Sequence, residues 1–245
     1  MHGLGTIINV AAILLGGMAG LIFKRFIKEQ FQETIIKANG IAVIFLGMAG
    51  ALAGLLSYDS RSGTFGTVKV LLMILSLVLG AILGEMLNIE GSFERFGEWL
   101  KKKSGNSGDA GFLDAFLTAS FTVCIGAMAI IGALQDGISG DYSVLLAKAI
   151  LDCIIIMIMT ASMGKGCIFS AIPVGILQGS VTLLAGLLTP ILTEDALANL
   201  SMVGNILIFC VGVNLVRKKT IRVANLLPAI LFAVLFSFVP WLQGQ

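Results

Sequence analysis

Apolar residues run along this chain in eight stretches, at 4–23, 35–56, 67–88, 112–134, 143–163, 168–189, 197–216 and 223–242. Each is long enough for one helical crossing of a hydrocarbon core about 30 Å thick, which takes about 20 residues. Polar and turn-forming residues gather between them, as in Asp59-Ser60-Arg61-Ser62-Gly63, Gly137-Ile138-Ser139-Gly140-Asp141 and Thr189-Pro190. Pro173 and Pro228 fall near the starts of the sixth and eighth stretches, where a missing N–H has no helical partner to lose. The pattern predicts an all-α polytopic transmembrane bundle of about eight helices, in a single integral membrane domain over residues 1–245.

Composition agrees with that pattern. Of 245 residues, 57% are hydrophobic and 12% charged, against about 25% charged in soluble domains. The mean hydropathy is +1.00. The longest polar stretch, 90–111, is too short to bury a core of its own. Positive charge follows the first stretch, at Lys24, Arg25 and Lys28, and none precedes it. That order suits a retained helix with its N-terminus outside, not a cleaved signal peptide.

Charge then orients the bundle. Of the 16 Lys and Arg residues, all but Arg61, Lys69 and Lys148 lie on or beside the odd-numbered connections. The positive-inside rule places those connections in the cytoplasm and both termini outside. Basic residues scattered over short loops give no support to nucleic-acid binding. Within the third connection, Phe93, Phe96 and Trp99 repeat at helical spacing, which predicts a short amphipathic helix in the interface, anchored by Trp99 and Lys101–Lys103.

Glycine is abundant, 30 residues in all. Gly16/Gly20, Gly50/Gly54, Gly80/Gly84 and Gly175/Gly179 have the GxxxG spacing that lets helix backbones approach closely, within a chain or across a homodimer. Asn39-Gly40-Ile41-Ala42-Val43-Ile44-Phe45 echoes Val203-Gly204-Asn205-Ile206-Leu207-Ile208-Phe209, on helices expected to run in opposite directions. An inverted repeat of stretches one to three against six to eight follows, an arrangement common in transporters.

Ionisable groups inside a membrane are the best functional pointers, since each is costly to place there. Asp152 sits midway along the fifth stretch with Lys148 four residues earlier on the same face. The two form either a self-neutralising structural pair or a cation or proton site in which Lys148 competes for Asp152. Asp114, Thr118 and Thr122 form a polar stripe on the fourth stretch, either facing a wet cavity or bonding their own backbone. Gln135, Asp136 and Asp141 bracket the outer connection that follows, an oxygen-rich, glycine-rich run suited to a hard cation or to a plain exposed turn. Gln178 and Asn9 are uncharged polar residues expected to line a path or to bond neighbouring helices, the default also for Asn205 and Asn214. Glu85 is expected to snorkel at the cytoplasmic interface.

Cys124, Cys153, Cys167 and Cys210 lack CxxC spacing and read as packing residues. The single histidine is His2, and no HExxH, GxSxG or Walker A motif is present. No cofactor, no enzyme activity and no ATP-driven pumping are therefore expected. The expected function is a membrane transporter or channel for a cation, sodium or proton, or for a small solute coupled to one, with the lipid bilayer and that cation or solute as partners. A non-transporting membrane scaffold or regulatory subunit is the alternative.

The hairpin Cys124-Ile-Gly-Ala-Met-Ala-Ile-Ile-Gly-Ala-Leu-Gln-Asp-Gly-Ile-Ser-Gly-Asp-Tyr142, followed by Leu146-Ala-Lys-Ala-Ile-Leu-Asp152, resembles the YqgA/YdfK family, the bacterial membrane proteins of domain of unknown function 554. Gly5-Thr-Ile-Ile-Asn-Val10 and Ile221-Arg-Val-Ala-Asn-Leu-Leu-Pro228 fit the same pattern. The resemblance spans essentially the whole chain. It implies a bacterial inner membrane and, at most, a sodium channel or pump.

Overall fold

The computed structural model describes residues 2–26, 29–59, 63–217 and 220–243. Lys28, Arg61, Lys218 and Lys219, used above for orientation, and most of the 59–63 turn lie outside the described residues.

The chain is helical nearly throughout. Its elements are α1 (Leu4–Lys24), α2 (Glu29–Leu55), a hairpin of β1 (Leu56–Asp59) and β2 (Thr64–Thr67), α3 (Val70–Leu87), α4 (Ile89–Lys103), α5 (Phe112–Cys124), α6 (Ala127–Ser139) and α7 (Ser143–Met163). A 3-10 turn (Lys165–Ser170) leads into α8 (Ala171–Leu183) and α9 (Ala185–Leu188), followed by α10 (Glu194–Arg217). The last apolar stretch is divided into α11 (Val223–Leu226), α12 (Pro228–Leu235), a 3-10 turn (Phe236–Phe238) and α13 (Pro240–Gln243).

The expected count of eight is not reached by single helices. Among the described residues six helices are long and apolar enough to cross a bilayer, and α5 with α6 makes a seventh, bent by 60°. The eighth stretch holds a shorter apolar helix, Val223–Phe238, about 24 Å long at 1.5 Å per residue. It is interrupted where Pro228 begins α12. The turn expected at 59–63 falls between two strands that pair antiparallel, Leu56 with Thr67 and Tyr58 with Phe65.

Glycine sets the helix pairing. A Cβ on Gly16 would strike the Cys153 carbonyl, and one on Gly20 would meet Thr160 at 2.7 Å, while Gly5 faces Tyr142 and Leu145. So α1 and α7 lie side by side and parallel. Gly40 faces Leu215 and Gly54 faces Met202, so α2 and α10 are antiparallel. Gly80 meets Ala229 and Gly84 meets the Asn225 carbonyl, which sets α3 antiparallel to the last stretch. Three of the four GxxxG pairs are thus used within the chain, and Gly179 has nothing within 4 Å of its Cβ position. The opposed directions of α2 and α10 are those an inverted repeat requires. If α1, α2 and α3 each cross in turn, α7 runs parallel to α1 only when the bent α5–α6 pair carries the chain back across.

Outward faces are apolar: Ile7, Leu15, Phe45 and Leu183 are 66%, 60%, 62% and 87% exposed. A surface of that kind suits lipid. The amphipathic segment is a helix, as expected, but its aromatic face packs on protein. Phe93 meets Phe121 with ring centroids 5.3 Å apart, Phe96 lies 6.0 Å from Phe116, and Trp99 remains half exposed with the Lys103 ammonium 4.8 Å above its ring.

Candidate functional site

The fourth span breaks at Ile125 and Gly126. Ile125 is extended (φ −82°, ψ 125°) and Gly126 has φ 144°, a region open to glycine and strained for side chains. The break removes i+4 donors from the carbonyls of the last turn of α5. One of them is answered from another helix: the Lys148 ammonium on α7 donates to the Val123 carbonyl at 2.9 Å. The same ammonium donates to Asp152 Oδ1 at 2.8 Å and Oδ2 at 2.7 Å. Asn9 Nδ2 on α1 donates to Asp152 Oδ2 at 3.0 Å. All three side chains are buried, with Lys148 at 8%, Asp152 at 3% and Asn9 at 0% exposure.

A layered core surrounds this group. Ile13, Val123, Ile156, Met159 and Val174 form one apolar cluster. One helical turn away on the same faces stand Asn9 on α1, Asp152 on α7 and Gln178 on α8. A further turn brings Thr6, Lys148 and Thr182, all buried. Three helices therefore change from apolar to polar at the same level.

On the other face of α5 lies a cleft of about 390 Å³, lined among others by Glu33, Lys37, Glu90, Asp114, Thr118 and Asn214. It is not the Lys148 site. Asp114, Leu117, Thr118 and Phe121 line the cleft, while Ala115, Ala119 and Val123 join the apolar cluster, so α5 stands between the two. The expected stripe is therefore half realised: Asp114 and Thr118 face the cleft, and Thr122 donates to the Thr118 carbonyl at 2.8 Å.

The outer carboxylates have other employments. Gln135 and Asp136 lie in α6, not in the connection, because the helix runs on to Ser139. Asp136 is fully buried and accepts the first-turn amides of α1, from Gly3 at 3.1 Å and Gly5 at 2.9 Å. That is a helix cap supplied in trans, favoured by the positive end of the helix dipole. Gln135 is exposed. Asp141 is exposed and accepts the Ser143 N–H at 2.9 Å, a bond that holds its carboxyl below the usual range. These three do not converge with Asp152 on one site.

Other polar residues settle locally. Asn214 closes the turn after α10, accepting Thr220 N–H and Ile221 N–H at 2.9 Å each. Asn205 Nδ2 donates to the Ser201 carbonyl at 2.7 Å. Glu85 pairs with Arg222 at 3.1 Å, both exposed. The sequence reading missed Glu90, which is buried, accepts Ala224 N–H at 3.0 Å and gives its own N–H to Asn225 at 2.7 Å. It begins a polar segment and carries no mark of burial beyond the helix start beside it. Thr6 and Thr182 were missed because a threonine in an apolar helix is unremarkable until neighbouring helices are aligned.

The family model described as "Protein of unknown function (DUF554)" matches residues 4–238. The chain is 31% identical to "Uncharacterized membrane protein YdfK" of Bacillus subtilis (strain 168) and 27% identical to "Uncharacterized protein YqgA" of Escherichia coli (strain K12), with 96% of each chain covered in both cases. No solved structure matches it.

Proposed function

The chain belongs to the DUF554 family of membrane proteins, and from that premise we propose that it is a small transporter for a cation, sodium or proton, or for a small solute coupled to one. The carrying observation is the group at the break in the fourth span. A half-helix C-terminus is the negative end of a helix dipole, and transporters use such ends to hold cations at mid-membrane. Here the Lys148 ammonium occupies that position, between the Val123 carbonyl and the Asp152 carboxylate. A tethered cation in a cation's place is a competitor for it.

A second feature that suits cations lies on the other face of α5, apart from the Lys148 group. The cleft along α5 carries Glu33, Glu90 and Asp114 against Lys37, so its charge favours cations. Lys37 in its walls, and Glu90 at the start of the basic third connection, support a cleft open to the cytoplasm of a bacterial inner membrane with both termini outside. With no nucleotide motif, an ion gradient supplies the driving force.

Purified protein in liposomes tests this. Under imposed sodium, potassium or proton gradients, wild type is expected to move one of them. Asp152→Asn is expected to insert and fold but lose the flux. Wild-type flux in that variant removes Asp152 from the mechanism.

The scaffold reading draws on a different fact: the Lys148 ammonium is saturated by Val123 and Asp152, as a structural pair would be. Exchanging the charges, Lys148→Asp with Asp152→Lys, separates the two. The exchange costs the Lys148–Val123 bond under either reading, so flux decides: a cation site loses a flux that wild type shows, whereas under the scaffold reading neither protein moves an ion.

A further inference from the structure

We propose that the polar layer contains a second position, formed by Gln178, Asn9 and Thr6, that takes a monovalent cation and discriminates against divalent ones. The inference rests on the transporter reading above and adds to it a place and a charge class.

Three polar side chains there are buried without their full complement of partners. Gln178 is 1% exposed, and neither its amide oxygen nor its amide nitrogen has a hydrogen-bond partner. Asn9 gives its Nδ2 to Asp152, but its Oδ1 has no partner. The Thr6 hydroxyl, on a residue 8% exposed, has none either. Each buried group left unpaired has given up its water without a bond in return.

The three are neighbours by register. Gly17 on α1 faces Ile168, and Gly175 on α8 faces Val10, so the two helices run antiparallel with Gln178 level with the Thr6 turn. Asn9 and Gln178 each stand one turn from Ile13 and Val174, which share the apolar cluster. The Thr182 hydroxyl donates to the Ala133 carbonyl at 3.1 Å and ties α8 to α6 on the same side of that cluster. The unpaired amide is therefore buried at the level of the Thr6 turn, where α8 packs on α1 and α6.

The donor set determines the ligand class. Amide and hydroxyl oxygens are hard, neutral donors, and hard cations take such oxygens. The carboxylates nearby are already engaged, Asp152 by Lys148 and Asp136 by the Gly3 and Gly5 amides. Divalent sites generally supply several carboxylates. A double charge entering this layer finds no cluster of free carboxylates to offset its larger dehydration cost, while a single charge asks less of neutral oxygens.

The test is thermal unfolding of the purified full chain in nanodiscs, titrated with lithium, sodium, potassium and ammonium chlorides, with magnesium and calcium chlorides, and with choline chloride as the ionic-strength control. At least one monovalent ion is expected to raise the Tm saturably above the choline curve, and the divalent ions are not. Gln178→Leu is expected to weaken the half-saturating concentration by tenfold or more. Thr6→Val, which preserves shape, is expected to weaken it by a smaller factor, and it decides the matter if Gln178→Leu does not fold. No saturable monovalent response, an equal divalent response, or an unchanged midpoint in the variants overturns the proposal. Flux lost in Asp152→Asn beside an unchanged midpoint in Gln178→Leu sinks this position alone. A Gln178-dependent midpoint with no flux under any gradient sinks the transporter reading instead.

Discussion

Lys148 terminates a helix to which it does not belong: its ammonium lies 2.9 Å from the Val123 carbonyl, in the last turn of α5 before the chain breaks. The ammonium is held in turn by Asp152, one turn further along α7. Removing either charge leaves the other buried and unmatched. Lys148→Met is expected to destabilise the protein by about 3–5 kcal/mol, and the double variant Lys148→Met/Asp152→Leu by clearly less than the sum of the two single changes. Thermal or denaturant unfolding of the four proteins in one detergent measures the coupling, and additive effects would show that the pair does not act as a unit.

Asp136 fastens the start of the chain. Its carboxylate takes the amides of Gly3 and Gly5, so Asp136→Ala is expected to cost about 1–2 kcal/mol, as loss of a helix cap does. Hydrogen exchange should speed up first in residues 3–8, with α7 unaffected. Uniform acceleration across the bundle would contradict a local cap.

Glycines differ in what they permit. Gly84→Ala drives a methyl into the Asn225 carbonyl and is expected to cost about 1–3 kcal/mol or more through forced separation of α3 from α11. Gly179→Ala meets nothing within 4 Å and is expected to leave stability unchanged or raise it by up to about 1 kcal/mol through helix propensity. Melting curves of the two variants, run side by side, should move in opposite directions or differ plainly in size.

Asp141 makes the start of α7 sensitive to acid. The Ser143 N–H depresses its carboxyl pKa, so the bond contributes above the unfolded carboxylate's range near 3.9 and is lost as pH falls through the lower folded value. The Ser143 amide resonance is expected to titrate with a midpoint below that of an ordinary aspartate. Asp141→Asn should abolish the titration, and a midpoint at or above the ordinary value would refute the bond.

Accessibility distinguishes the two faces of α5. A cysteine at Thr118, on the cleft, is expected to react with a membrane-impermeant thiol reagent from the cytoplasmic side, in a background lacking the four native cysteines. One at Ala119, within the apolar cluster, should not react. Labelling of Thr118→Cys from outside only would invert the proposed orientation.

Much of the fold was legible in the sequence. The 143–163 stretch coincides with α7, and the Phe93–Phe96–Trp99 spacing marked a real helix. The break at Ile125-Gly126 was not legible, because its partner, Lys148, comes from another helix and no proline announces it. Asp136 read as a cation attractor in a loop, since nothing local tells that the helix extends past it or that two amides of α1 arrive there. The Lys148–Asp152 pair was visible from its spacing, yet the level at which Asn9, Asp152 and Gln178 meet depends on how far each helix slides along its neighbour. Interhelical register of that kind is set by glycine contacts such as Gly16 against Cys153 and leaves no trace within any single helix.

The interruption at Ile125 and Gly126 divides one crossing into two short rods joined by a two-residue pivot. Neither rod stands free: α6 is tied to α1 through Asp136 and to α8 through Thr182, and α5 to α7 through Lys148. Each half of that crossing is thus moored to different neighbours, so cutting one mooring loosens one half and leaves the other in place.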